Sequence, residues 1–211
     1  MALTLSGTNG VVGAGFTVDA SGVSVTAGVG TFSSVQGEIP AASIVGVCTA
    51  GLTRTGGFGK FASYAIIADQ KSSTTDGGVF SDGAWRTRDL NTELSDADGI
   101  VSISSNQFTL QAGSYLIEAD APVHQINRHM IKLYQTSGTP ADIAFGTSEF
   151  SSLSYAGTTR SFLRTRVTIS SATTYEIRHK CQSTYSGAEG FGVASDHAVE
   201  TYTVVKIFKE A

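Results

Sequence analysis

Cysteine, proline and tryptophan are nearly missing from this sequence, which has two, three and one of them in 211 residues. Cys48 and Cys181 fall in different segments and have no metal-like spacing. Free thiols made in a reducing compartment are therefore expected, rather than a disulfide framework. Charge is scarce too. Fourteen Lys and Arg stand against eighteen Asp and Glu, a formal net charge of −4, with no basic cluster. That leaves no electrostatic footprint for nucleic acid or an anionic membrane. The longest apolar stretch, Ala41 to Leu52, is broken by Ser43, Gly46, Thr49 and Gly51 and reaches roughly half the length that crosses a bilayer, so membrane insertion is not expected. The start, Met1 to Gly7, has neither the basic n-region nor the apolar h-region of a secretory leader. Export by release of assembled particles on lysis fits that reading. Helical periodicity does not persist over three turns anywhere in the chain.

Glycine, by contrast, is abundant and unevenly placed. Residues 1–60 hold 13 of the 24 glycines and only four charged side chains, Asp19, Glu38, Arg54 and Lys60. Runs such as Val11 to Val18 and Val23 to Phe32 alternate β-branched residues with glycine and carry few large side chains. A segment of that kind cannot bury a core by itself, and it orders by packing on copies of itself or inside a partner. It reads as an extended β shaft or anchor, with Gly51 to Gly59 as a linker. Residues 61–211 read as a separate domain.

From residue 61 the pattern has a period of two. Phe61 to Ala68 reads as a strand buried on both faces, and Thr75 to Gly78 as a turn. Trp85 to Leu90 is extended, and Asp96 to Gly99 turns the chain into Ile100 to Ile103. Ser105-Asn106 separates that strand from Gln107 to Leu110. Beyond Gln111 to Gly113, Tyr115, Ile117, Ala119 and Ala121 share one face. His129 to Gln135, Ile143 to Phe145, Arg160 to Ile169, Thr174 to Gln182 and Val199 to Lys209 follow, at the spacing of a sandwich. Tyr175, Ile177, His179 and Cys181 are expected to face inward. The fold class is all-β.

The stretch Asn106 to Ile117, with Phe108-Thr109 leading to Gly113-Ser114-Tyr115, resembles a signature of the globular head of the first complement component and its tumour-necrosis-factor-like relatives. Trp85 to Glu93 and Gly190-Phe191-Gly192 extend the resemblance over roughly residues 61 to 209. Together these stretches resemble the versions of this head found on phage fibres, and Gly7 to Val35 resembles the repeats of fibre shafts. The resemblance implies an antiparallel jelly-roll head that trimerises about a threefold axis, binds through apical loops or flanks, and does no catalysis.

Several constellations carry possible chemistry. Ser195-Asp196-His197 has the residue types of a hydrolase triad, but three consecutive residues cannot stack in line, and a polar loop is expected. His124 and His129, five apart on extended chain, point to opposite faces and do not share a metal. Asp96 and Asp98 offer oxygens to calcium, which the resembled family binds, but the downstream glutamate of a calcium loop is missing and Asp-Gly is also an ordinary turn. Glu93 with Asp96 or Asp98 has the residue types of a glycosidase pair, but nothing in the sequence fixes their separation. Arg164 and Arg166 share a face with Phe162, and Arg86 shares one with Arg88. Such rows suit an anionic glycan, or else cross-strand pairing with Glu176, Glu118 or Asp120. Tyr64, Tyr115, Tyr202 and Phe208 read as core or threefold-axis aromatics.

The expected protein is thus a non-enzymatic homotrimer without a cofactor. It would be assembled in a host cytoplasm into a virion, where residues 1–60 join other virion proteins and the head meets a glycan or protein receptor on the host surface. A phage tail fibre or receptor-binding knob leads; a capsid-attached fibre or decoration protein follows. A polysaccharide-degrading tailspike and a bacterial adhesin are the remaining alternatives.

Overall fold

The structure is a computed structural model, which describes residues 16–19, 22–25 and 61–210. The chain divides into two units, Met1–Thr53 and Arg54–Ala211. In the first, β1 (Phe16–Asp19) pairs antiparallel with β2 (Gly22–Val25), Phe16 opposite Val25 and Asp19 opposite Gly22. The rest of the expected shaft, together with Cys48 and the Gly51 to Gly59 linker, lies outside the described residues.

The second unit holds β3 (Phe61–Lys71), β4 (Arg86–Thr87), β5 (Thr92–Ser95), β6 (Val101–Ser104), β7 (Gln107–Leu110) and β8 (Gly113–His124). These are followed by β9 (Asn127–Gln135), β10 (Ala141–Phe145), β11 (Glu149–Ser151), β12 (Thr158–Ile169), β13 (Thr173–Cys181) and β14 (Glu200–Glu210). They form two antiparallel sheets. One runs β12-β8-β14-β3-β5. The other runs β10-β9-β13-β7-β6, with β11 also on β9 and β4 also on β13. The pairings are nested: β3 with β14, β7 with β13, β8 with β12, β9 with β10. A long antiparallel hairpin rolled over on itself gives that nesting, so the head is a jelly roll.

Alternation decides what the sheets bury. Tyr115, Ile117, Ala119 and Ala121 on β8 and Tyr175, Ile177, His179 and Cys181 on β13 all face inward, as their spacing predicts. The main core lies between the sheets and joins these to Ala65, Ile67, Phe108, Leu110, Ile131, Leu133, Val205 and Ile207. Ser105 and Asn106 both have positive φ, 53° and 63°, the geometry that closes a two-residue hairpin between right-twisted strands. Two local expectations fail. β3 is not buried on both faces, because Tyr64 and Phe61 stand out from it. The Trp85 to Leu90 stretch pairs only over Arg86–Thr87, and the short strands β5 and β11 appear where no alternation marked them.

A smaller core of Phe80, Val123, Ile126 and Cys181, with Tyr185 and Phe191 against it, fills one end of the sandwich. The chain enters the head at Phe61, opposite Glu210. The connections 111–112, 136–140 and 170–172 lie at that same end. The loops 72–85, 125–126, 152–157 and 182–199 gather at the other, distal end.

Candidate functional site

The proposed glycan-gripping arginines of β12 lie on the outer face of the five-stranded sheet. Row by row, Arg166, Leu116, Phe208 and Tyr64 are cross-strand neighbours, and so are Arg164, Glu118, Lys206 and Ile66. Arg166 grips Glu210 in a bidentate pair, Nε to Oε1 at 2.6 Å and Nη2 to Oε2 at 2.7 Å, and this holds the Glu210 carboxyl below the usual carboxylate range. Arg164 Nε lies 3.3 Å from Glu118, and Arg160 pairs with Asp120 while donating to the Tyr202 carbonyl at 3.0 Å. These cations are engaged within their own sheet. Glu176, the other expected partner, pairs instead with Arg178 on its own strand. Phe162, 48% exposed, and Tyr64, 53% exposed, break the charged rows with bare aromatic surface, and Phe61 stacks on Phe208 at 5.1 Å between centroids. Tyr64 is therefore not a core residue of this head, while Tyr115 and Tyr202 are buried in it.

Arg86 and Arg88 do not share a face. β4 is only two residues long, and beyond it Arg88 turns inward until 1% of it is exposed. Its Nε donates to Thr203 Oγ1 at 2.8 Å, its Nη2 donates to the Phe191 carbonyl at 2.9 Å, and its guanidinium lies 4.2 Å from the centre of the Phe191 ring. Nη1 has no partner among the described residues. Burial lowers the guanidinium to about 9, against the pull of Asp69 and Asp89. Arg88 ties the Phe191 loop to β14 and is inaccessible to a ligand. Arg86 stays outside, with its side chain donating to the Ser81 and Asp82 carbonyls at 3.2 Å each.

Beside Arg88 sits a pair that sequence reasoning did not assemble. His129 Nδ1 lies 3.0 Å from His179 Nε2, and His129 Nε2 lies 2.8 Å from Thr159 Oγ1. Burial, then the Arg88 charge, lowers His129 to about 4 and His179 well below its ordinary value. The only trace in the sequence is the inward alternation of His179. His124 closes β8 and stacks edge-on against Tyr185, at 5.4 Å.

Asp96 accepts from the backbone N–H of Ile100 at 2.8 Å and of Val101 at 3.0 Å, so it caps the turn that its Asp-Gly neighbour predicts. Asp98 accepts from Ser63 Oγ at 2.5 Å. Asp96 and Asp98 thus both accept from protein donors, and no group of three or more His, Cys, Asp or Glu placed to hold a metal ion occurs among the described residues. Ser195-Asp196-His197 is a loop before β14. The Ser195 and Asp196 N–H groups donate to the Glu200 carboxylate at 2.8 and 2.9 Å and hold it below the usual carboxylate range.

At the distal end the 72–80 and 182–192 loops are sewn together. Gly77 N donates to the Gly192 carbonyl at 2.9 Å, Phe191 N to the Gly78 carbonyl at 2.9 Å, and Phe80 and Tyr185 bridge as an isolated β-pair. Glycine is required at this seam: a Cβ on Gly190 would lie 2.6 Å from the Phe80 nitrogen. The Thr136 to Ala141 turn lies at the opposite end, where Thr136 N donates to the Thr174 carbonyl.

No protein-family model matches the chain, and no curated protein does. Among solved structures it is similar to the globular domain of a zebrafish complement 1qA protein, with 18% identity over 69% of this chain and 95% of that one and a TM-score of 0.45. It is also similar to murine APRIL, with 9% identity over 70% of this chain and 98% of that one in the pH 5.0 crystal, again at 0.45. The jelly-roll assignment rests on the nested strand pairing itself.

Proposed function

We propose that the chain is a non-enzymatic attachment protein of a virus particle: a homotrimeric phage tail fibre or receptor-binding knob whose head binds the host surface. The observation that carries this reading is the polarity of the head. The chain enters it at Phe61, beside Glu210, and the glycine-sewn loops gather at the far end. A scaffold of regular strands holding loops away from the incoming chain is how binding residues are commonly presented. The homotrimer draws support from the outer face of the five-stranded sheet, where Phe61, Tyr64 and Phe162 stand exposed among charged rows. Surface of that kind is usually covered by a partner, and identical subunits cover such faces by closed symmetry. The resemblance of residues 106–117 to a trimeric head family sets the expected number at three. Residues 1–60 are the attachment to other virion proteins in this reading.

The test is to add purified full-length protein to host cells before the phage. Competitive loss of phage adsorption is expected, and light scattering of the same sample should give three chains. Unimpeded adsorption with the protein located on the capsid by electron microscopy would make it a decoration protein. Release of reducing sugar from host capsule would make it a tailspike enzyme.

A further inference from the structure

The outer face of the seven-stranded sheet carries an open groove of about 840 Å³ towards the distal end. Its walls come from three neighbouring strands and the β4 flank. Phe150 on β11 stands opposite Arg128 on β9, Lys180 on β13 stands opposite Met130, and the Gln182 N–H donates to the Arg128 carbonyl at 2.9 Å. Trp85 closes one side, held by Phe145 at 6.1 Å between ring centroids and by Lys132 Nζ at 4.3 Å from the ring centre. Phe150 is 58% exposed, an aromatic surface that the head itself leaves uncovered.

The arginines of the opposite sheet, Arg160, Arg164 and Arg166, each pair with a carboxylate, leaving Lys206 as the unpaired cation of that face among the described residues. At the groove neither Arg128 nor Lys180 makes an ion pair among the described residues, and both are exposed. Two unspent cations thus flank an apolar floor, with Gln182 and Glu149 as further hydrogen-bonding groups. A mostly apolar concavity with a few convergent polar groups is the common form of a small-ligand site. A pyranose offers matching chemistry. Its C–H face lies on an aromatic ring, its hydroxyls bond to amide and carboxylate groups, and a carboxylate substituent meets the planar fork of a guanidinium. Arg128 and Lys180 outnumber the one lining carboxylate, Glu149, and this net positive charge favours an acidic sugar over a neutral one.

We propose that this groove binds a carboxylate-bearing sugar of a surface glycan, with Arg128 and Lys180 taking the carboxylate and Trp85 and Phe150 the ring. This rests on the attachment reading above, and it adds to the distal loops a recognition surface on the flank of the seven-stranded sheet, in place of the β12 arginines. In a trimer the groove recurs three times, so single contacts of low affinity add up through avidity.

Trp85 is the only tryptophan of the chain, so intrinsic indole fluorescence reports on the groove alone. Full-length protein is titrated with a glucuronic-acid oligosaccharide, its neutral glucose counterpart and a sulphated glucose oligosaccharide. A saturable change with the uronic oligosaccharide is expected, with weaker binding of the neutral one. Arg128→Ala and Phe150→Ala, checked for unchanged thermal unfolding, should each weaken uronic binding by about tenfold. No saturable response, an equal response to the neutral sugar, or equal binding of the sulphated sugar with no effect of Phe150→Ala would each overturn the proposal. The two readings fail separately. If Arg128→Ala and Phe150→Ala protein still competes fully for host adsorption, the groove is not the receptor site while attachment stands. If the unsubstituted protein binds uronic sugar yet never competes, attachment fails while the groove stands.

Discussion

His129 Nδ1 and His179 Nε2 face each other at 3.0 Å across β9 and β13, in a buried setting that also contains the Arg88 charge. Both imidazoles are kept neutral, chiefly by burial and further by Arg88. In an unfolded chain each titrates near 6.5. Above that pH neither state binds the proton and the contribution to stability is complete. As pH falls from about 6.5 through the folded value of about 4 for His129, the unfolded chain takes up protons that the folded one refuses, and stability is lost. The limiting slope is about 1.4 kcal/mol per pH unit for each histidine. Thermal unfolding should therefore occur at clearly lower temperature at pH 4.5 than at pH 7.5. A His129→Gln, His179→Gln chain should show a flatter profile over that window, and Arg88→Met, by removing the neighbouring charge, should shorten the acid limb. A profile identical to the unsubstituted protein in the double variant would place the acid sensitivity elsewhere.

Tyr115 combines complete burial with a hydroxyl that donates to the Gln111 carbonyl at 2.9 Å. It fixes the β7–β8 corner as well as filling the core. Tyr115→Ala should cost about 3–5 kcal/mol, and Tyr115→Phe, which loses only the hydrogen bond, about 1 kcal/mol. Denaturant unfolding of the two variants separates the contributions. Equal and small effects would mean that the ring is dispensable to packing.

The period-two pattern made the core legible because each β8 and β13 side chain has only two faces to choose from. Tyr115 through Ala121 and Tyr175 through Cys181 were placed correctly by alternation alone. The arginines show where that reasoning ends. Alternation put Arg88 beside Arg86, but two paired residues do not make a strand long enough to carry a face, and the Phe191 carbonyl and Thr203 hydroxyl drew the guanidinium inside. The pairing of Arg164 with Glu118 was legible as an alternative, since facing residues on adjacent strands are the natural partners. The groove was not legible. Trp85, Arg128, Phe150 and Lys180 come from four separate segments, and only the nested strand order brings them to one surface.

Gly190-Phe191-Gly192 owes its composition to close approach. A Cβ on Gly192 would meet the Tyr202 ring at 2.5 Å, at a backbone φ of 139° that L side chains rarely adopt. Gly190 faces the Phe80 backbone, which cannot move aside cheaply. Gly190→Ala and Gly192→Ala should both lower the unfolding temperature by several degrees. Gly157→Ala, whose nearest neighbour would be an ordinary 3.7 Å away, should leave it nearly unchanged. Amide hydrogen exchange at Gly77 and Phe191, whose N–H groups hold the seam, should accelerate in the first two variants only.

The outer face of the five-stranded sheet offers the sharpest test of assembly. Tyr64 and Phe162 are exposed in the single chain, beside Arg164 and Arg166, which pair with Glu118 and Glu210, and Lys206, which makes no ion pair among the described residues. A negative charge placed on either aromatic disturbs little inside one head, but in a covered interface a carboxylate takes the place of an apolar ring and is desolvated. Tyr64→Glu and Phe162→Glu should each convert the expected trimer to a smaller species by light scattering, with far-ultraviolet circular dichroism unchanged. Gln182→Glu, just past β13 on the other side of the head, should leave the assembly intact. If all three variants remain trimeric with the parent's unfolding temperature, the five-stranded face lies outside the interface.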